Sequence, residues 1–318
     1  MSTPILPAVD AAAPERDDLR RRRAAVRRLH SVNGEPDFLR TLRLEDTGAS
    51  TGETILTGAS HWSPGGRVFG GQVLAQCIVA AQRTIEGRDV HSMHGYFLRP
   101  GDIDVPITFG VERIHDGRSF AARRVQAYQR GVPIFSMIAS FQVPDTGIEH
   151  QDPYPVDTPD PESLPSAASI LSAIDHPVAR AWAARSIDLR HVEGPVFVDV
   201  QGEHVPHQAV WFRVQGDLPD DPALHRAVLG YASDLSILEP IMRRHGVAWG
   251  TPGVKSASLD HAMWWHRDGR ADEWILYTQE SPSAQGGRGL AFGRMFSRDG
   301  QLLATVAQEG MMRVPTAG

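Results

Sequence analysis

The chain has 318 residues, 41% of them hydrophobic and 22% charged, which is enough for two domains or one double-sized one around a real core. A net charge of −6, with Lys255 the only lysine, gives no basic field to gather nucleic acid or an anionic membrane. Cys77 is the single cysteine, so an intrachain disulfide and a cysteine-based zinc site are excluded and a reducing compartment fits.

In chain order, residues 1–35 open with a Pro/Ala-rich run and continue as ERDDLRRRRAAVRRLH, whose arginines would ring a helix; a flexible extension is expected. This start lacks the apolar core of a signal peptide, no run approaches a membrane span, and the final PTAG is not a peroxisomal address. A cytoplasmic protein with no membrane insertion is therefore expected. GASTG (48–52) fits G-x-S-x-G, but a strand follows the serine where a nucleophile elbow needs a helix, so it reads as a turn. ETILTGAS (53–60) reads as that strand and FGGQVLAQCIVAAQRTI (69–85) as an apolar helix opened by two glycines. Four strands follow at 90–99, 105–114, 119–129 and 132–143, with hairpin turns at DG (116–117) and RG (130–131).

A Pro/Asp/Ser-rich stretch from His150 to Ser169 interrupts the pattern, which then repeats: a strand at 207–216, a helix at 225–244, and strands at 254–266, 273–281, 289–298 and 302–312. GRSFAARR (117–124) matches GRGLAFGR (287–294) at an offset of about 170. Two copies of strand, long helix and four antiparallel strands describe an α+β protein in which a sheet wraps one helix, twice. The expected boundaries are 36–148 for the first unit, 149–195 for a linker and 196–318 for the second unit.

Three polar residues break the second copy's apolar pattern. On a helical wheel Asp234 falls inside the stripe between Tyr231 and Leu238 on one side and Ile237 and Ile241 on the other, with Ser233, Ser236, Glu239 and Arg243 opposite. An ionised carboxylate there needs partners or a purpose, unless Asp234 caps a helix beginning at Leu235. Gln308 alternates in phase with Leu302, Ala304 and Val306 and should be buried, whereas Ser258 is ambiguous on pattern. Their counterparts at the repeat offset, Leu74, Val90 and Ala139, are apolar, which favours one shared site in the second copy. Gly70 and Gly71 bring backbone N–H groups and a positive helix end toward an anion, or merely let the helix pack closely; both readings stand. His91 with His94, and His261 with His266, point to opposite faces of a strand, so no metal is expected, and no phosphate-binding loop is present.

RVFGGQVLAQ (67–76), HSMHGYFLRPGD (91–102), DGRSFAARRVQAYQRGVPIFSMIASFQ (116–142), GYASD (230–234), SLDHAMWWHR (258–267) and VAQEGMMR (306–313) resemble the acyl-CoA thioesterase II family. The resemblance runs collinearly from about residue 36 to 313 and implies a double hotdog fold with a scaffold first unit and a catalytic second one. It also implies an acyl-CoA substrate, no cofactor and a homo-oligomer acting in fatty acid metabolism. By the same resemblance Asp234, Ser258 and Gln308 hold a water. Thioester chemistry then expects Asp234 to take the water's proton, and a backbone N–H at a helix start, Gly70 or Gly71, to stabilise the oxyanion. The extension over 1–35 departs from the family pattern. A hydratase or dehydratase would be expected to place a histidine near the aspartate, and GYASDLSILEP has none within a turn; an acyl-CoA binding protein would not need the intact trio.

Overall fold

The computed structural model describes residues 35–49, 52–61, 63 and 66–314. The extension over residues 1–34, Ser50 and Thr51 of the GASTG turn, and the last four residues lie outside the described residues.

A one-turn helix α1 (Asp37–Thr41) and short strands β1 (Glu45–Asp46) and β2 (Thr54–Gly58) lead into the long helix α2 (Gly70–Gln82). Strands β3 (Asp89–Phe97), β4 (Ile107–Asp116), β5 (Phe120–Gln129) and β6 (Val132–Gln142) complete the first copy. Next come α3 (Ala167–Ser172), α4 (Pro177–Ala183) and β7 (Ile187–His191). The second copy consists of β8 (His207–Val214), α5 (Pro222–Ser233), α6 (Glu239–Arg244), β9 (Lys255–Ser258), β10 (Asp260–Trp265), β11 (Ile275–Gln285), β12 (Arg288–Ser297) and β13 (Leu302–Arg313).

All these strands form one sheet, in the order β1-β2-β4-β5-β6-β3-β10-β13-β12-β11-β8-β7, with β9 paired to β13. The five-strand block β2-β4-β5-β6-β3 recurs inverted as β10-β13-β12-β11-β8, so the copies meet where β3 pairs antiparallel with β10, Met93 opposite Met263. Each half wraps its own helix, which is the double hotdog. Nearly all of α2 is buried because α5 covers the side that the sheet leaves open, which explains a helix apolar all round. Gly230 permits that approach: a Cβ there would stand 2.7 Å from Ile78 Cδ1.

The register refines one expected counterpart. Met93 pairs with Ala139 as Met263 pairs with Val306, so Gln308, two residues further along, corresponds to Phe141 rather than to Ala139. The helix ends refine another: Asp234 is the C-cap of α5 as Arg83 is of α2, so its counterpart lies at the end of α2 rather than at Leu74. Phe141, the counterpart of Gln308, is buried and apolar.

Two expectations need correction. The helix expected over 225–244 is two helices, because Pro240 supplies no N–H and its ring obstructs a continuous helix through residue 236. Asp234 is therefore the C-cap of α5, not the N-cap of a following helix. Its supposedly solvated neighbours Ser233, Ser236, Glu239 and Arg243 are all buried. The segment between the copies is also more than a connector. Asp160 caps a short 3-10 turn, β7 adds an edge strand antiparallel to β8, and Ala167, Leu171 and Ala179 form a small core of their own.

Candidate active site

Three elements of the second copy and one of the first converge on the end of α5. Ser258, the last residue of β9, donates its hydroxyl to Asp234 Oδ1 at 3.0 Å. Gln308, in the middle of β13, donates from Nε2 to Asp234 Oδ1 and to Ser258 Oγ, both at 2.9 Å. From the first copy, the Gly71 N–H donates to Asp234 Oδ2 at 2.8 Å. The structure thus brings Asp234, Ser258, Gln308 and Gly71 together. Tyr277 Oη–H, donating to the Ser233 carbonyl at 3.1 Å, pins the helix end that presents the carboxylate.

Both readings of the two glycines hold, with different assignments. Phe69 is the N-cap of α2 and offers no side-chain acceptor, so Asp234 caps this helix from another part of the chain and meets its positive end. Gly70 must lack a side chain, because a Cβ would stand 2.6 Å from Asp234 Oδ2 and 3.1 Å from the Phe97 ring. The Gly71 amide is spent on the carboxylate and is not a free oxyanion donor, contrary to the expectation for it. The Gly70 N–H has no acceptor among the described residues.

The sequence offers His261 only as half of a metal pair, and the structure gives it another place. Its buried ring on β10 donates from Nδ1 to Gln308 Oε1. Because an amide oxygen can only accept, this bond fixes which way the Gln308 amide faces and aims Nε2 at Asp234 and Ser258. On the far side, His261 Nε2 lies 2.9 Å from Ser233 Oγ, which is itself 2.8 Å from the Gly230 carbonyl. The alternation of SLDHAMWW already put His261 on the buried face with Met263 and Trp265, which was the available signal. His91 and His266 instead hydrogen-bond Ser140 and Thr305, at 2.9 Å each, and His94 packs edge-on against Trp264.

Burial pushes the Asp234 carboxyl above its ordinary range; the charge of His261 and then the Gln308, Ser258 and Gly71 bonds pull the other way. Burial likewise draws His261 down. The result is a carboxyl raised by burial yet hydrogen-bonded as an anion, a combination that suits a general base.

Asp234, Gly70 and Ser258 open on a cavity of about 1000 Å³. Its walls come from both copies and from the segment between them, including Phe97 and Ile134 from the first and Leu171 and Trp182 from α3 and α4. One wall is polar: Glu239 receives hydrogen bonds at 2.8–3.0 Å from His191, Gln208 and Trp249. These bonds, with the charge of His191, hold the Glu239 carboxyl below its usual range although burial opposes them.

A helix-wrapping double sheet with one buried carboxylate corner beside a large, mostly apolar cavity defines a hotdog thioester enzyme. The family model described as acyl-CoA thioesterase matches residues 182–311, and that described as acyl-CoA thioesterase N-terminal domain matches residues 59–142. Acyl-CoA thioesterase 2 of Haemophilus influenzae is 37% identical over 255 residues, 78% of this chain and 88% of that protein. Human acyl-coenzyme A thioesterase 8 is 37% identical over 276 residues, 82% of this chain and 85% of that protein. The crystal structure of acyl-CoA thioesterase II TesB2 from Mycobacterium marinum is 42% identical, covers 88% of this chain and all of that one, and superposes with a TM-score of 0.72. The chain belongs to the acyl-CoA thioesterase family.

Proposed function

We propose that this acyl-CoA thioester hydrolase releases free fatty acid and CoA by direct attack of a water that Asp234 deprotonates. The observation that carries the reading is the convergence of Ser258 and Gln308 on one oxygen of a buried Asp234. A water accepted into this corner finds the carboxylate to take its proton, with the hydroxyl and the amide to fix its orientation. The water oxygen then adds to the thioester carbon while its proton passes to Asp234. The tetrahedral adduct expels the CoA thiolate, which recovers that proton. Asp234, Ser258 and Gln308 are the proposed catalytic residues, and the Gly70 N–H at the α2 terminus is a proposed donor to the carbonyl oxygen.

The proposed division of labour follows the copies. Residues 196–318 supply the three catalytic side chains, residues 36–148 supply the helix end and one cavity wall, and residues 149–195 supply the other wall. The mirror-image corner at the start of α5 lacks the corresponding means, because Pro222 has no N–H and Asp221 already accepts from Ala223 at 3.0 Å. The apolar cavity suits a fatty acyl chain, and exposed Arg67 and Arg99 along its lining suit the phosphates of CoA. No described helix is long and apolar enough to cross a membrane, and a cytoplasmic location is proposed. A homo-oligomer is also proposed, because Tyr96 and Ile138 stand exposed on the outer face of the sheet, at 63% and 48%.

A hydratase would need an acid and a base flanking the acyl carbons. His261 stands behind Gln308 and is not part of the cavity wall, and the His191 and Glu239 that do line it are hydrogen-bonded to each other and not to Asp234. Purified protein given an acyl-CoA should produce CoASH steadily. Binding without thiol release would instead make it an acyl-CoA binding protein.

A further inference from the structure

Arg185 lies between α4 and β7 and lines the same cavity as Asp234, Gly70 and Ser258. Its guanidinium carbon is 3.6 Å from the centroid of the Trp182 ring and 4.8 Å from that of Phe69. Since Phe69 is the N-cap of α2, the cation is clamped beside the helix end that faces Asp234. Its Nη1 is buried with no hydrogen-bond partner, and no carboxylate among the described residues forms an ion pair with it. Three other sheltered arginines, Arg123, Arg190 and Arg226, each meet an aspartate at 2.7–2.9 Å, and Arg243 donates to the Glu193 and Gly194 carbonyls.

A guanidinium is never deprotonated under ordinary conditions, so this one is a cation on the cavity wall with no carboxylate to pair with among the described residues. Two aromatic faces hold the cation, and the charge of Asp234 is felt there although the two form no ion pair. An acceptor that appears only with substrate resolves the mismatch. CoA phosphates, strongly hydrated, are better met by exposed Arg67 and Arg99 than by a buried Nη1.

We infer that Arg185 is a further catalytic residue, whose guanidinium donates to the thioester carbonyl oxygen and holds the oxyanion formed there. The inference rests on the proposed water attack. As the water oxygen bonds to the acyl carbon and its proton goes to Asp234, the carbonyl π pair moves onto oxygen between Arg185 and the Gly70 N–H. When that pair returns, the carbon–sulfur bond breaks and the thiolate leaves with the proton from Asp234. A donor engaged mainly at the charged stage acts on kcat more than on substrate affinity.

The test is steady-state hydrolysis of one good acyl-CoA by the full chain carrying Arg185→Gln, Arg185→Lys or Arg185→Ala, with thermal melts beside it. Arg185→Gln should lower kcat about 10²- to 10³-fold with KM within about threefold. Arg185→Lys, which keeps the charge but not the planar fork, should fall between, and dilute guanidinium should restore part of the activity of Arg185→Ala. A kcat within a few-fold of the parent, or a loss confined to KM, overturns the assignment. Should Arg185→Gln melt early, Arg185→Lys decides on the same kcat criterion. Asp234→Asn, run in parallel, separates the two readings. Slow Arg185→Gln beside a near-parent Asp234→Asn keeps Arg185 and discards the Asp234 base, and the reverse pattern discards Arg185 alone.

Discussion

At the scale of single residues, the unusual feature is how much surrounds one oxygen. Asp234 Oδ1 accepts from both Ser258 and Gln308, and His261 stands behind Gln308 to fix its amide. His261→Ala should leave the amide free to rotate and lower kcat about tenfold, as expected for losing one buried hydrogen bond. Because the charge of His261 is the largest influence holding the Asp234 carboxyl down, the acid limb of the kcat–pH profile should also move to higher pH in that variant. A merely structural histidine would lower yield or melting temperature without moving the limb. Gly70→Ala should cost activity for a different reason, since its methyl would collide with Asp234 Oδ2 and push the carboxylate out of line. The residue-level reading from sequence was good where periodicity applied: Gln308 in phase with Leu302 and Val306 had to be buried. It failed where a break intervened, since the wheel that put Glu239 and Arg243 in solvent assumed a helix that Pro240 interrupts.

At the scale of elements, the repeat was legible because each strand alternates and each helix has its turn signals, and the sheet order follows from two such copies. The segment between them was not legible. Its prolines and aspartates read as a linker, and nothing local announced that Leu171, Trp182 and Arg185 would line the cavity, because that depends on where β7 joins the sheet edge. A prediction belongs here. Filling the cavity from this segment with Ala179→Trp should lower kcat/KM for long acyl-CoA substrates far more than for short ones. Activity across a chain-length series checks it, and an equal fall at every length would place the acyl chain elsewhere.

At the scale of the whole molecule, two buried carboxylates bias stability in opposite senses. The Asp234 carboxyl is raised by burial, so folding favours its protonated form and its ionisation at neutral pH costs stability. Asp234→Asn removes that cost and should raise the melting temperature near pH 7. The Glu239 carboxyl is lowered, so it contributes stability above its ordinary value of 4.5 and loses it as pH falls through the folded value. Melts of Glu239→Gln should therefore show less stability than the parent at neutral pH and a smaller further loss on acidification. Sedimentation of the full chain, with Ile138→Glu as the perturbing variant, reports whether the exposed outer sheet face joins copies: a shift to smaller species is expected.

The most direct test of the account is turnover by Asp234→Asn, which keeps the shape of the corner and removes its proposed base. Thiol release from a good acyl-CoA should fall by about 10² to 10⁴, the usual worth of a general base, with the acid limb of the profile abolished and substrate binding retained. A rate within a few-fold of the parent would contradict the account and leave Asp234 as the cap of two helices and nothing more.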